Sequence, residues 1–551
     1  MEHDTGLLER ARALTELEAH PFYGFLGQLV DLLSDDLDHP EIWNTLAGVS
    51  GPELTELHGL VRAFGPLQAD QVVIRIFNTL DGLIETIIGD PAAGIAALRQ
   101  AEAVSNLSPQ VAGALFFASR FHDPDRSADL ASRFCEAPFV KFETLIDGTV
   151  APCCSIWTKQ RLGHLDRQSF AEIWNSAGAQ AMRESILDGS YRYCNKSRCT
   201  LISEDALPER DAVADPELRQ VIDEGITEMA AGPRWLFLAH DITCNLACPS
   251  CRSELIGAVE EQQARFQMIE ENVFRPLFVS EGEVTLSISG QGDPWSSPHY
   301  RSILRYMADH ELNTKLNIHT NALLMTEARW NQYAGLAKYR PLVDVSIDAC
   351  SPDVYQYVRR PGKWERLVPN LQFIGRERAN GTFSEFHINA TIQLDNFHEM
   401  GALVDFGASV GADTVRLYMI QNTGGHLAPE FKHKNVADAA HPLHLMFLEA
   451  LRDPRLGQPS AHLYDVAGWR AQALAQRLPS DALDADYDRD ALLEAIDGAI
   501  GAEDFGTVAA LTTAGRIRFG GDATFYEIEA RALERLGFAR QAAYRRADAA
   551  R

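Results

Sequence analysis

The chain has 551 residues, 46% of them hydrophobic: too long for one ordinary domain and apolar enough for several buried cores. Its 77 acidic residues outweigh 50 basic ones to a formal charge of -27, which repels phosphate backbones and anionic headgroups and argues against nucleic acid and membranes as partners. The opening MEHDTGLLERARAL lacks an apolar signal core and no window of about 18 uninterrupted apolar residues follows, as expected of a cytoplasmic protein.

Residues 1–131 read as helices, with apolar positions at helical spacing in LLERARALTELEAH and QVVIRIFNTLDGLIETIIG, broken at Gly-Pro and Asp-Pro pairs. Trp43, Leu46 and Ala47 sit at the offsets of a tetratricopeptide (TPR) first helix, and a plain helical bundle reads the same way. Either version offers a groove to a partner.

Composition changes at Cys135. Of nine cysteines, eight fall between Cys135 and Cys251, and in a reducing compartment such clustering favours metal ligation over disulfides. Within 132–205, FVKFETL, IDG and TVAPCC predict a hairpin that lets Cys135 and Cys153 approach each other. A helix from about Ser169 through Leu187 then returns Cys194 and Cys199 to the same end, completing a four-thiolate set suited to a closed cluster or to zinc. Residues 206–231, rich in Glu, Asp, Ala and Pro, read as a linker or a solvated helix.

Trp235 to Ala239 has the bulk of a buried strand, followed by a loop holding Cys244, Cys248 and Cys251. Three sulfurs serve three corners of a four-iron, four-sulfur cube and leave one iron open to something that is not protein. Structural zinc usually needs paired knuckles, and the next cysteine downstream is the lone Cys350. From Trp235 strands alternate with helices, at 235–239, 284–289, 315–319, 342–347, 386–392 and 414–420, the pattern of a parallel sheet with helical crossovers. Ligands then belong at the strands' carboxyl ends. Beyond 440 the chain turns helical again, and Gly537 and Ala542 stand at TPR-like offsets.

The CxxxCxxC spacing of Cys244, Cys248 and Cys251 resembles the signature of radical S-adenosylmethionine (radical SAM) enzymes. The 132–205 segment resembles their SPASM auxiliary-cluster domain on Cys135, the GxxxxC of Gly148 to Cys153, the GHL at Gly163, SFAEIWNS with Ile173 and Trp174, Arg183 and the closing cysteine pair. The first resemblance implies a partial (β/α)6 TIM-type barrel at 232–440 in an α/β fold flanked by helical regions, 1–131 and 441–551. It also implies a SAM-binding [4Fe-4S] cluster on the three-cysteine loop, where an electron from a donor such as flavodoxin or ferredoxin splits SAM into methionine and a 5'-deoxyadenosyl radical. The second implies one auxiliary [4Fe-4S] cluster on Cys135, Cys153, Cys194 and Cys199, with Cys154 spare. Such modules usually follow the core, whereas this one precedes it.

SGQGDPW is similar to the family's Gly-Gly-Glu motif, which places Gly290, Gly292 and Asp293 at the SAM amine, the acid one methylene shorter than usual. SIDACSPDVYQYVRR resembles the serine-bearing strand, which puts Ser346 and Asp348 toward the SAM ribose or carboxylate and pairs Arg359 with the carboxylate. HTNALL at His319 matches a segment common after the third strand, while Ser250 stands where an aromatic residue usually packs by the adenine. Cys350 lies where a thiol can donate a hydrogen atom to a substrate radical, or where a small residue fills a tight turn. The expected activity is hydrogen abstraction from a peptide or protein, with a small molecule such as a sugar or aminoglycoside as the alternative substrate. The rival from another class is a noncatalytic scaffold with zinc at Cys135 to Cys199.

Overall fold

A computed structural model describes residues 51–64, 71–88, 93–98 and 130–550, with breaks at 156, 159, 197–198, 204, 253, 259–261, 276–281, 422–427, 484–486 and 521, together with Leu26 and Leu46. The chain forms two compact units, Met1–His240 with Ala264–Val284 and Asp241–Gln263 with Thr285–Arg551. Among the described residues no helix is long and apolar enough to cross a membrane.

In the first unit the helices Gly51–Phe64 and Gln71–Ile88 bury Leu54, Leu57 and Val61 of one and Leu80, Leu83 and Ile84 of the other. Arg62 ties the pair at the rim, with Nε 2.7 Å from Asp81 and Nη2 2.9 Å from Glu85. Leu46 is helical and fully buried, while Trp43 and Ala47 of the TPR reading lie outside the described residues.

The predicted hairpin is present, though its first strand is shorter than FVKFETL suggests. Pro138 opens a helical turn at Ala137–Val140, and only Lys141–Thr144 (β1) is extended. β1 pairs antiparallel with Thr149–Ala151 (β2), which pairs with Gly163–His164 (β3). On its other side β1 runs parallel to Trp235–Leu238 (β4), with Lys141 beside Trp235 and Glu143 beside Phe237. The strand expected to open the barrel thus pairs within the cysteine-rich segment, and the division expected between 205 and 232 is not where the compact units part.

The single helix predicted over Ser169–Leu187 is two, Phe170–Trp174 and Ala177–Leu187. Ser169 and Glu172 form a capping box on the first, and Ser176 restarts the chain by accepting from Ala179 N at 3.1 Å. Residues 206–231 are no tether. They carry a helix at Pro216–Glu224, and Met229 and Ala231 are held through Met229 O to Asn175 Nδ2 at 2.8 Å and Ala231 O to Trp174 Nε1 at 2.8 Å.

The second unit carries Val284–Ile288 (β5, from Thr285), Thr314–Thr320 (β6), Leu342–Ser346 (β7), Glu385–Ile392 (β8), Thr414–Met419 (β9) and Ala461–His462 (β10), side by side in that order. The pairs from β6 to β10 are parallel, and helices such as Pro298–Asp309 and Trp364–Ala379 fall between the strands, so the fold is α/β as expected. β4 to β9 match the six predicted strands within one residue at either end; the two-residue β10 is not among them. One face of these strands is apolar, with Val343, Val345, Ile388, Ile392, Val415 and Leu417 buried. Helix Met400–Ser409 packs on it so closely that a Cβ on Gly407 would lie 2.3 Å from Val415. The other face is polar, with registers His319–Asp344–His387–Thr414 and Ser346–Asn389–Arg416–His462 running across it. The C-terminal stretch is helical as predicted, ending in Phe505–Phe519, Ala523–Arg535 and Ala539–Ala549.

Candidate iron-sulfur sites

The three-cysteine loop is closed at its base by a bridge between Cys244 and Ile256, Cys244 N donating to Ile256 O at 2.9 Å. Its far end turns where Cys251 N and Arg252 N both reach Cys248 O at 2.9 Å. Buried Asp241 sets its start, accepting from Thr243 N at 2.8 Å and from the Ser297 hydroxyl. The segment after β7 clasps the middle, with Ala247 N to Arg360 O at 2.7 Å and Arg360 Nε to Ala247 O at 3.0 Å.

Each sulfur has its own nitrogen donor. Asn321 Nδ2 lies 3.8 Å from Cys244 Sγ, Arg359 Nη1 3.9 Å from Cys248 Sγ, and Arg252 Nε and Nη2 each 3.4 Å from Cys251 Sγ. Cys248 is buried, Cys244 half-buried and Cys251 exposed. Burial pushes the Cys244 thiol up to about 11, and the Asp293 carboxylate adds to the rise. It raises Cys248 as well, against the pull of Arg359. Thiolates are what a metal takes, so the guanidinium beside Cys248 opposes the cost of burial there. Among the described residues no three Cys, His, Asp or Glu side chains are grouped as ligands of one metal ion. A cube takes one thiolate at each corner, so its ligands need not meet at a point.

Gly292 presses against this loop: a Cβ there would lie 2.4 Å from Asp241 O and 2.8 Å from Thr243 O, closer than any side chain allows. Asp293 is wholly buried and its two oxygens are fully used. Oδ1 accepts from Trp295 N and Ser296 N at 3.0 and 3.2 Å, and Oδ2 from the Thr320 hydroxyl and Asn321 N at 2.7 and 2.9 Å. Asp293, the acid expected at the SAM amine, braces the loop and aligns Asn321, and Gly290 and Gln291 before it are exposed. Arg252 pins Gln291 by donating to its O as well as to Ile242 O at 2.7 Å. The Ser289 hydroxyl at the end of β5 is buried with no partner among the described residues.

Ser346 ends β7, half-buried. Asp348, at φ 58°, holds a left-handed turn that aspartate tolerates better than most residues, and pairs with Arg359 at 2.8 Å while accepting from Thr391 N at 2.8 Å. Arg359, expected at a ligand carboxylate, is thus shared between Asp348 and Cys248. Cys350 is half-buried, its N–H on Glu399 Oε2 at 2.9 Å. Burial, with the Glu399 and Asp548 carboxylates nearby, holds its thiol well above the usual range, so it stays S–H.

In the first unit Cys199 is buried and Cys135, Cys153 and Cys194 half-buried. Burial lifts Cys135 to about 12, the charge of Cys199 contributing, and lifts Cys153 with Cys194 as the next cause, so the four thiols stand as mutually repelling neighbours. Two cations share the site. Lys141 is buried, 2.8 Å from Glu143 and over the rings of Trp235 and Phe237 at 4.9 and 4.7 Å, and the β1–β2 register continued by two residues puts it across from Cys153. Arg161 Nη1 donates to the carbonyls of Thr158 and Gln160 at 3.1 and 3.2 Å, its buried Nε has no partner, and among the described residues it makes no ion pair. Burial lowers the pKa of this guanidinium against the opposing charges of Asp147, Glu143, Cys153 and Cys154, so it stands as a cation within reach of the thiols and fits an anionic group beside it, such as a cube held by four thiolates.

Residues 135–200 match the SPASM family, an iron-sulfur cluster-binding domain. The match spans all four thiols and Cys154, and the Arg183 and Trp174 that carried the resemblance form the module's buried brace. No curated protein matches the chain. Among solved structures it is similar to Streptococcus suis SuiB bound to precursor peptide SuiA (18% identity, TM-score 0.30, covering 45% of this chain and 51% of that one). It is also similar to SuiB bound to S-adenosylmethionine (16%, 0.28, 45% and 49%) and to anSMEcpe with bound AdoMet (15%, 0.28, 42% and 62%). The chain spans about half the length of the two SuiB chains, an overlap too slight to carry an assignment.

Sequence reasoning singled out the SPASM cysteines and the three-cysteine loop but missed Arg252, Asn321, Lys141 and Arg161. Arg252 follows the last cysteine and Asn321 stands in HTNALL, so position alone hinted at both. Lys141 and Arg161 gave no signal, since only the pairing of β1 with β2 and β4 brings Lys141 to the thiols.

Proposed function

We propose that the chain is a radical SAM enzyme whose SPASM module precedes its core and which abstracts hydrogen from a peptide or protein. The observation that carries this is the loop of three thiols, each met by a nitrogen donor from a different position: Arg252 on the loop, Asn321 after β6 and Arg359 after β7. Such donors tune a cluster's potential, and a ligand set one short of a cube's four corners leaves an iron for SAM. A cube held there with SAM supplies a 5'-deoxyadenosyl radical.

The protein's own groups hold and orient. Arg252 fixes the carbonyl of Gln291, keeping the glycine loop in place for the methionyl amine. Arg359, anchored on Asp348, offers its remaining fork to the methionyl carboxylate, and Ser346 ends β7 two residues before Asp348. Cys350, kept as a neutral thiol, is the group able to give a hydrogen atom to a substrate radical, and the thiyl radical left on it would return to S–H with one electron from the flavodoxin or ferredoxin donor and one proton. The auxiliary cluster sits on Cys135, Cys153, Cys194 and Cys199, with Lys141 and Arg161 as counter-charges. A flavodoxin or ferredoxin of the cytoplasm supplies the electron. The peptide preference follows the SPASM resemblance, and a sugar or aminoglycoside is the second reading.

Protein purified without oxygen, loaded with iron and sulfide, and reduced with dithionite in the presence of SAM should carry about eight irons per chain and release 5'-deoxyadenosine. Zinc in place of iron and no 5'-deoxyadenosine would instead indicate the noncatalytic scaffold.

A further inference from the structure

Parallel sheets are normally apolar on both faces because helices cover both. The sheet of the second unit is apolar on one face only. Its other face carries cross-strand rows of acid, amide, imidazole and guanidinium, which need water or a polar ligand against them.

The charges on that face are unequally satisfied. Asp344 is buried and accepts from Arg416 Nη1 at 2.8 Å and Asn389 Nδ2 at 3.4 Å, with His319 Nδ1 3.4 Å from its other oxygen. Glu385 is taken up by His387 at 2.7 Å. Arg416 stays 20% exposed, and among the described residues Asp344 is the one acceptor its five-donor fork has. Beside it stands a planar wall, with Tyr418 stacked on Tyr464 at 4.3 Å and Tyr464 on His462 at 4.2 Å between ring centroids. His462 is next to Arg416 in register, and Tyr418 lies two residues further along the same face.

Arg416 shares its row with Ser346, two strands away, which is roughly 10 Å at the usual strand spacing. On the proposed reading Ser346 lies at the SAM end, so a group held by Arg416 lies one short substrate segment from the radical. We infer that Arg416, with the Tyr418, Tyr464 and His462 wall, is the subsite that anchors the substrate by a carboxylate. Asp344 holds the guanidinium in place, and the open part of the fork receives the anion in paired hydrogen bonds. That carboxylate comes from an acidic side chain or from a chain terminus.

The inference rests on the radical SAM reading, and the test separates the two. Three peptides are titrated into cluster-loaded full-length protein with SAM present: acetyl-Gly-Ser-Asp-Gly-Tyr-amide, acetyl-Gly-Ser-Asn-Gly-Tyr with a free terminus, and acetyl-Gly-Ser-Asn-Gly-Tyr-amide. One of the first two should bind at least about tenfold tighter than the uncharged third, and which one identifies the source of the carboxylate. R416Q should erase that preference, and R416K, which keeps charge but loses the fork, should retain only part of it. Equal binding of the three, no binding, or a preference that survives R416Q overturns the subsite. Absence of 5'-deoxyadenosine from the wild-type protein overturns the enzyme reading instead, whatever the peptides do.

Discussion

Replacing Cys244, Cys248 and Cys251 together by alanine should abolish SAM cleavage while leaving about four irons and an absorbing cluster on the chain. The two thiol sets lie in different compact units and share no residue. Each unit closes its own hydrogen bonds around its cysteines: the bridge to Ile256 and the clasp of Arg360 in one, the β1–β2 pairing and the Cys194–Thr158 bridge in the other. Loss of the first cluster also leaves Arg359 its partner Asp348 and Arg252 its carbonyls, so neither cation is stranded. Iron and sulfide assays with absorption spectra check this. Loss of all iron in the triple variant would mean the ligands are misassigned, and retained 5'-deoxyadenosine would mean the loop is not the site of cleavage.

The Arg183→Met variant should lose at least about 3 kcal/mol of stability in the first unit. This guanidinium is wholly buried and stacks on Trp174 at 4.4 Å. It donates to Pro138 O at 3.0 Å, Trp174 O at 2.7 Å, Asn175 Oδ1 at 2.9 Å and Thr227 O at 2.8 Å, so one side chain joins the start of the module, the break between its two helices and the 206–231 segment. Burial alone lowers its pKa to about 10, which still leaves it charged at neutral pH. A thioether takes the Arg183 donors away from the carbonyls of Pro138, Trp174 and Thr227, while Asn175 Oδ1 keeps Met229 N at 2.9 Å. Lysine should not rescue, since three rotating donors on one atom cannot span the fork's partners. Urea unfolding of the variants measures the effect; a loss under about 1 kcal/mol would show that water replaces the guanidinium.

The strands β4 to β9 are legible in the sequence because alternation between a helix-covered and an open face leaves Val, Ile and Leu at every second position, as in VRLYM and FHINATI. β10 is not legible: two residues, Ala461 and His462, carry no period. The break at Asn175–Ser176 has its cap residue in plain view, but an uninterrupted helical pattern on either side masks it. The role of 206–231 depends on partners more than 40 residues away, Trp174, Asn175 and Arg183, which no local pattern records. The cysteines are legible for the opposite reason, since chemistry confines metal ligands to few residue types and short spacings. Their donors Asn321 and Arg359 arrive from beyond β6 and from the end of the helix Pro352–Val358, and Asp293 is held by four donors that no local pattern joins.

The most direct measurement is the Mössbauer spectrum of protein loaded with iron-57 at both sites, recorded with and without SAM. A cube left one ligand short at Cys244, Cys248 and Cys251 predicts that SAM changes the signal of about one iron in eight and leaves the rest as they were. An identical spectrum on adding SAM, or a change that persists when those three cysteines are alanine, would contradict it.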